Sequence, residues 1–183
     1  MVKPTPELQI VLGPKDISRS VHDLTEAILN GAGDLKRLVL IGILTAGHPL
    51  AQRIAKQIQQ QTGKAIPVGK LDITLYRDDI ISGDRFVTVR ESDIPFDINH
   101  RHVILVDDIL FTGRTIRSAL NGLADFGRPD VIETAVLIDR GHRELPILAN
   151  YVAKTLSTQK TDHVDVQLLE IDGEDRVVLT QLK

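Results

Sequence analysis

Asp107 and Asp108 are adjacent carboxylates, and the turn Thr112-Gly113-Arg114-Thr115 follows closely behind them. A turn of small and hydroxyl-bearing residues at a helix start presents successive N–H groups, two hydroxyls and the positive end of the helix dipole. All of these favour a phosphate dianion. The carboxylates repel that phosphate; they accept hydrogen bonds from vicinal hydroxyls or ligate a divalent cation. A neutral phosphate pocket beside an acidic pair therefore describes a sugar phosphate with its diol turned toward the acids. Each piece has a plainer explanation, since Thr112 or Thr115 could simply cap the following helix and an acidic pair can end a strand in water. The combination is more specific than either piece. No Gly-x-x-x-x-Gly-Lys-Ser/Thr stretch occurs, which argues against a nucleotide triphosphatase.

The elements that must position these residues surround them. Val103-Ile104-Leu105-Val106 is a continuous apolar run that suits a strand buried on both faces. Ile116, Ala119, Leu120 and Leu123 carry a helical period after the turn. A second unit of the same kind begins with a strand over 37–43, passes through Leu44-Thr45-Ala46-Gly47-His48, and continues as a helix to Gly63 with Pro49 in its first turn. That loop is a candidate anion cradle, although a tight connection with no ligand would look the same. Upstream, Asp16 is the expected N-cap of a helix over 17–30, with Ile17, Val21, Leu24 and Ile28 on one face and Gly31 and Gly33 ending it.

Val68 to Leu75 reads as a strand, and the polar segment 76–94 beyond it reads as a long hairpin or lid. Its Arg77, Arg85 and Arg90 could close over an anion, or serve as a solvated surface. Val131 to Ile138 is a further buried strand, ending in the polar loop Asp139-Arg140-Gly141-His142-Arg143-Glu144-Leu145-Pro146. Short strands are expected at Tyr151–Ala153, Val164–Leu169 and Val177–Leu179. The alternation predicts an α/β fold, a mostly parallel central sheet flanked by helices, as one domain over 1–183. Three loops, 44–48, 107–115 and 139–146, then fall at strand carboxyl ends, where such sheets bind ligands.

Composition narrows the class. The 183 residues are 42% hydrophobic and 26% charged, ordinary for a globular protein, with no apolar run long enough to span a membrane and no signal-peptide pattern at the start. Cysteine is absent, which excludes disulfides and thiolate metal sites and fits a reducing cytoplasm. The net charge of −3 argues against a surface given over wholly to nucleic acid. Charge is uneven, however: nine Lys/Arg against five Asp/Glu in residues 1–70, and thirteen against twenty in 71–183.

The stretch Val103-Ile104-Leu105-Val106-Asp107-Asp108-Ile109-Leu110-Phe111-Thr112-Gly113-Arg114-Thr115 resembles the 5-phosphoribosyl 1-pyrophosphate (PRPP) motif of type I phosphoribosyltransferases. Asp72–Asp79, Asp93-Ile94-Pro95 and Asp139–Pro146 resemble the pyrimidine operon regulators that are also uracil phosphoribosyltransferases. The resemblance implies a type I phosphoribosyltransferase fold with a flexible β hood at 76–94. It implies that Asp107 and Asp108 hold the ribose hydroxyls and that Thr112 to Thr115 hold the 5′-phosphate. It places pyrophosphate on Thr45, Ala46 and Gly47 with Mg²⁺ bridging its oxygens, and the base against Asp139, Arg140, Gly141 and His142. Asp107, Asp108 and Arg77 are then the candidate catalytic residues. The implied reaction makes UMP and pyrophosphate from uracil and PRPP, in a homodimer or larger homo-oligomer. The alternative is a UMP-sensing regulator that binds pyrimidine-operon leader RNA, with Arg19 and Arg143 as candidate contacts.

Two departures stand out. The pyrophosphate loop is commonly Lys-Thr-Arg-Gly in the family, whereas here it is Leu44-Thr45-Ala46-Gly47 and lacks both cations. Where the RNA-binding regulators offer a Thr and a His on the first helix and a late arginine, this chain places His22, Glu26 and Leu148. A carboxylate on a phosphate-facing surface weakens RNA binding.

Overall fold

The computed structural model describes residues 6–77 and 91–182. In chain order they form β1 (Pro6–Leu12), α1 (Pro14–Gly31), β2 (Leu38–Ile43), α2 (Gly47–Thr62) and β3 (Val68–Leu71). A 3₁₀ turn (Thr74–Tyr76) precedes β4 (His102–Leu110), α3 (Arg114–Leu123), β5 (Val131–Asp139) and β6 (Tyr151–Thr155). The chain ends in β7 (His163–Gln167), the short α4 (Leu169–Asp172) and β8 (Arg176–Leu182).

The apolar runs of β2 and β4 leave neither face fit for water, and both become inner strands. The order β3-β2-β4-β5-β6 is parallel throughout. Successive side chains alternate between two cores. Leu38, Leu40, Ile104 and Val106 pack with Ile17, Leu24 and Ile28 of α1 and Leu50, Ile54 and Ile58 of α2. Val39, Ile41, Val103 and Leu105 pack instead with Ile116, Ala119 and Leu123 of α3. Each such buried side chain contributes roughly 1.5–3 kcal/mol, so a register slip would cost both cores at once.

A second, antiparallel sheet of order β1-β8-β7 forms a hood. Val164, Val166, Val177 and Leu179 seal its inner face onto the core shared with α1 and α2. Arg53 of α2 rivets it in place: Nε and Nη2 donate to Glu170 at 2.8 and 2.5 Å, and Nη1 and Nη2 donate to Asp175 at 2.9 and 2.7 Å. Hydrogen bonding to Glu170 first, then to Asp175, holds this guanidinium's pKa above its ordinary value.

Several expectations need correction. Asp16 is the third residue of α1 and not its cap: Gly13 caps, Pro14 opens the helix, and the Asp16 carboxylate accepts from the Gly13 N–H at 3.0 Å. β3 stops at Leu71, because Asp72 turns its carboxylate back onto the Thr74 N–H at 2.8 Å, and Leu75 is left exposed. β4 does not end before the acids but runs on through Leu110, with Asp107 opposite Val136 and Leu110 opposite Asp139 in β5. Leu120, Val131 and Ile132 lie on the surface. The hood sheet is built from the two ends of the described chain. Most of the hood segment expected at 76–94, residues 78–90 with Arg85 and Arg90, lies outside the described residues. Its flanks are anchored: Lys70 and Asp93 exchange backbone hydrogen bonds at 2.9 Å, and the Asp72 N–H donates to the Ser92 hydroxyl at 2.9 Å. No helix among the described residues is long and apolar enough to cross a membrane.

The start of α2 touches the backbone of β4. A Cβ placed on Gly47 would sit 2.2 Å from the Val106 carbonyl oxygen and 3.1 Å from the Asp107 Cα. Neither is a side-chain tip that can swing aside. Gly47→Ala is therefore expected to cost about 3 kcal/mol or more. Gly63→Ala, which meets no neighbour but must hold φ +72°, is expected to cost only about 1–2 kcal/mol. Urea unfolding of both variants reads the difference; equal costs would mean that the α2–β4 approach is slack.

Candidate active site

The three loops expected at the carboxyl ends of the strands do meet there. Leu44 to Ala46, Asp107 to Ile109, Phe111, Thr115 and Arg140 line one cavity of about 810 Å³, roofed by residues of the hood. A smaller pocket of about 310 Å³ opens beside it, floored by Ile109 to Thr115. Arg77, exposed, borders both. Its position follows from packing: the Ser118 hydroxyl of α3 donates to the Tyr76 carbonyl at 3.1 Å, and the Tyr76 hydroxyl donates to Asp125.

Asp107 is only 5% exposed. Its Oδ1 accepts from the Asp108 N–H at 3.0 Å, and both side chains line the larger cavity. Burial, aggravated for Asp107 by the neighbouring Asp108 charge, pushes its carboxyl well above the ordinary carboxylate range. Burial also raises Asp108. Two carboxylates held at a strand end in a dry wall are poorly solvated acceptors, and ligand hydroxyls can satisfy them.

In the smaller pocket the N-cap of α3 is Gly113, at φ +94°, with no side-chain capping bond. Thr112 Oγ1 accepts weakly from the Arg114 N–H at 3.3 Å, while Thr115 Oγ1 has no bond among the described residues. The threonines are thus not spent on capping. The first intrahelical bond runs from the Arg117 N–H to the Gly113 carbonyl at 3.0 Å, which leaves the Thr115 and Ile116 amides as open first-turn donors. Across the cleft, Thr45, Ala46 and Gly47 lead into α2 through a cis Leu44–Thr45 peptide, with Thr45 exposed.

The loop after β5 is pinned by Arg143. Its Nε donates to the Ile147 carbonyl at 3.0 Å, and Nη1 donates to the carbonyls of Phe111 at 2.7 Å and Gly141 at 3.1 Å. Nη2 donates to the Asp139 carboxylate at 2.5 Å, which also accepts from the Gly141 N–H at 2.9 Å. The guanidinium proposed for RNA is thus turned inward and knits the β4 and β5 loops together. Arg19, in contrast, is exposed on α1. His142 Nε2 lies 2.8 Å from the Thr158 carbonyl, an acceptor only, so that nitrogen carries the proton. Arg140 stacks over the Phe111 ring at 4.1 Å, and the His142 ring meets the same Phe111 edge-on at 6.0 Å.

Sequence reasoning missed the far wall. Asp72, Asp162, His163 and Asp172 also line the larger cavity, making it strongly acidic. Asp162 and His163 are scattered polar residues beside a short strand, and nothing in their spacing marks them; only the fold of the hood brings them across the cleft. No group of three or more His, Asp or Glu side chains among the described residues is arranged to hold a metal ion.

Comparisons with known proteins bear on the family and the fold. Residues 14–171 match the phosphoribosyl transferase domain model. A protein of Picosynechococcus sp., "Bifunctional protein PyrR", is 49% identical over 92% of this chain and 95% of its own length. Its namesake in Chloroflexus aurantiacus is 50% identical over 92% and 93%. Among solved structures, the hypoxanthine phosphoribosyltransferase of Trypanosoma cruzi superposes with a TM-score of 0.70 at 20% identity, over 96% of this chain and 97% of that one. That likeness concerns the fold: a parallel sheet flanked by helices with a separate antiparallel hood. On a domain match spanning most of its length and relatives near half-identical throughout, the chain belongs to the phosphoribosyltransferase family, among the bifunctional PyrR proteins.

Proposed function

We propose that the protein is a cytoplasmic uracil phosphoribosyltransferase, converting uracil and PRPP to UMP and pyrophosphate within one phosphoribosyltransferase-like unit. One observation carries this reading: the open donors of Thr112–Thr115, the buried Asp107 and the half-buried Asp108 lie toward the end of one strand and line adjoining pockets. In this reading the 5′-phosphate of PRPP sits in the smaller pocket, bound by the first-turn amides of α3 and the threonine hydroxyls. The ribose 2′- and 3′-hydroxyls donate to Asp107 and Asp108. Pyrophosphate lies along Thr45, Ala46 and Gly47, bound by backbone N–H groups, with Arg77 closing over it. The base lies against Asp139, Arg140, Gly141 and His142.

The ring nitrogen of uracil forms a bond to ribose C1 as the bond from C1 to pyrophosphate breaks. Positive charge develops on the ribose, where fixed carboxylates and exclusion of water stabilise it. Mg²⁺ fits as a companion of PRPP, since the acidic wall of the larger cavity attracts a cation. When bound, it neutralises pyrophosphate charge. Leu44 and Ala46 carry no charge, so this loop offers pyrophosphate only its backbone N–H groups.

A second reading is supported by the relatives' printed name, "bifunctional", and by the exposed Arg19. In it UMP occupies the same cleft and the protein retains pyrimidine-operon leader RNA. Its expected signature is UMP-dependent retention of that RNA, lost in Arg19→Glu; retention indifferent to UMP would count against it.

For the leading reading, protein mixed with uracil, PRPP and Mg²⁺ should release UMP and pyrophosphate. No product together with no measurable PRPP binding would sink it. The acidic pair makes a separate prediction about stability. Because folding raises both carboxyl pKa values, the folded state keeps protons that the unfolded chain releases above about pH 4. Stability from this pair therefore declines as pH rises from there. Asp107→Asn keeps the acceptor for the Asp108 N–H and removes the charge. It should melt higher than the wild type at pH 8, by a margin that shrinks toward pH 4, while PRPP binding weakens. A lower melting temperature at pH 8 would show that the pair is not under electrostatic strain.

A further inference from the structure

Arg77 lines both pockets, with the Thr112–Thr115 turn in the smaller and with Leu44 to Ala46 in the larger. An exposed arginine pays rotamer entropy whenever it is fixed on a ligand, and pays more if its own backbone must be ordered first. Here the residue before it is already fixed. Tyr76 meets α3 at Ser118, Gly122 and Asp125, whose spacings of four and three put them on one face. The Ser118 hydroxyl reaches outward from the helix to donate to the Tyr76 carbonyl at 3.1 Å, although Ser118 is only 1% exposed. Gly122 makes room for the ring: a Cβ there would sit 2.9 Å from Tyr76 Cε2 and 3.0 Å from Cδ2. Just past the end of α3, Asp125 accepts from the Tyr76 hydroxyl. The turn entering Tyr76 is closed as well, since its N–H donates to the Ile73 carbonyl at 2.9 Å and Asp72 accepts from the Thr74 N–H at 2.8 Å.

The helix that holds Tyr76 is the one whose first turn lies at the smaller pocket. Resting on the PRPP-dependent activity proposed above, we propose that Tyr76 is a positioning residue. Its anchorage to Ser118, Gly122 and Asp125 sets the backbone of Arg77 so that the guanidinium meets the pyrophosphate group of PRPP. The positive charge that Leu44 and Ala46 lack then comes from the α3 side of the cleft. Tyr76 lines neither pocket. It acts through Arg77, by reducing what must be ordered before charge-assisted bonds to phosphate oxygens can form.

The test is equilibrium binding of PRPP with Mg²⁺ to the full chain, in wild type, Tyr76→Phe, Asp125→Ala, Arg77→Met and the double variant of Tyr76→Phe with Arg77→Met. Arg77→Met should weaken PRPP binding by about tenfold or more. Tyr76→Phe and Asp125→Ala, which remove opposite halves of one hydrogen bond, should each weaken it by about fivefold. The double variant should match Arg77→Met alone within about twofold, because no guanidinium is left to position. Losses that multiply in the double variant would overturn the proposal, since Tyr76 would then only support the helix. Unchanged PRPP binding in Tyr76→Phe or in Arg77→Met would overturn it too. Should Tyr76→Phe not fold, Asp125→Ala combined with Arg77→Met decides by the same criterion. Wild type that binds no PRPP would sink the proposed activity itself and, with it, the role given to Tyr76.

Discussion

The cleft depends on one close approach, that of Gly47 at the start of α2 to the Val106–Asp107 backbone of β4. A side chain on residue 47 would wedge the two strand–loop–helix units apart. Without it, the loop at Leu44–Ala46 and the acidic pair face each other across one cavity. Gly42 does the same work one turn away, since a Cβ there would fall 2.3 Å from the His48 Cα. Two glycines therefore set the width of the site, and the double burial of β2 and β4 keeps that width constant.

On this frame the electrostatics divide sharply. The turn that opens α3 presents donors and no acid, while the neighbouring cavity is walled by carboxylates from four separate segments. Burial raises the pKa of the pair at the end of β4 and so opposes stability at neutral pH. Such strain persists where the surroundings over-determine it, and it concentrates at sites that bind or react. Here the Asp108 N–H and the pairing of Asp107 with Val136 of β5 hold the Asp107 carboxylate in place.

Two arginines three residues apart show how identity alone misleads. Arg143 looks like a surface cation in a polar loop, but five acceptors surround it and it behaves as a tie between loops. Arg140 resembles it in sequence and is more deeply buried, yet its Nε has no partner among the described residues. The difference lies in the carbonyl groups each meets, and those come from the β4 turn and from the link between β6 and β7.

Much of the architecture was legible in the chain. Continuous apolar runs at 38–43 and 103–106 can only be inner parallel strands, and period-four apolar residues place α1 and α2. The acid pair and the Thr112–Thr115 turn raised the expectation of a sugar phosphate, because their acceptors suit a diol and their donors suit a phosphate. What tertiary structure alone decided was non-local. Asp107 and Asp108 extend β4 because β5 offers ladder partners through Asp139. Leu120 is exposed although it falls in the apolar period of α3. The hood joins β1 to β8, strands from opposite ends of the described chain, by backbone hydrogen bonds that no local pattern encodes. The far wall of the cleft, with Asp162 and His163, exists only once Arg53 and the valines of β7 and β8 have docked that sheet onto α2. Local composition determines which chemistry a segment can offer; burial and backbone pairing determine what it faces.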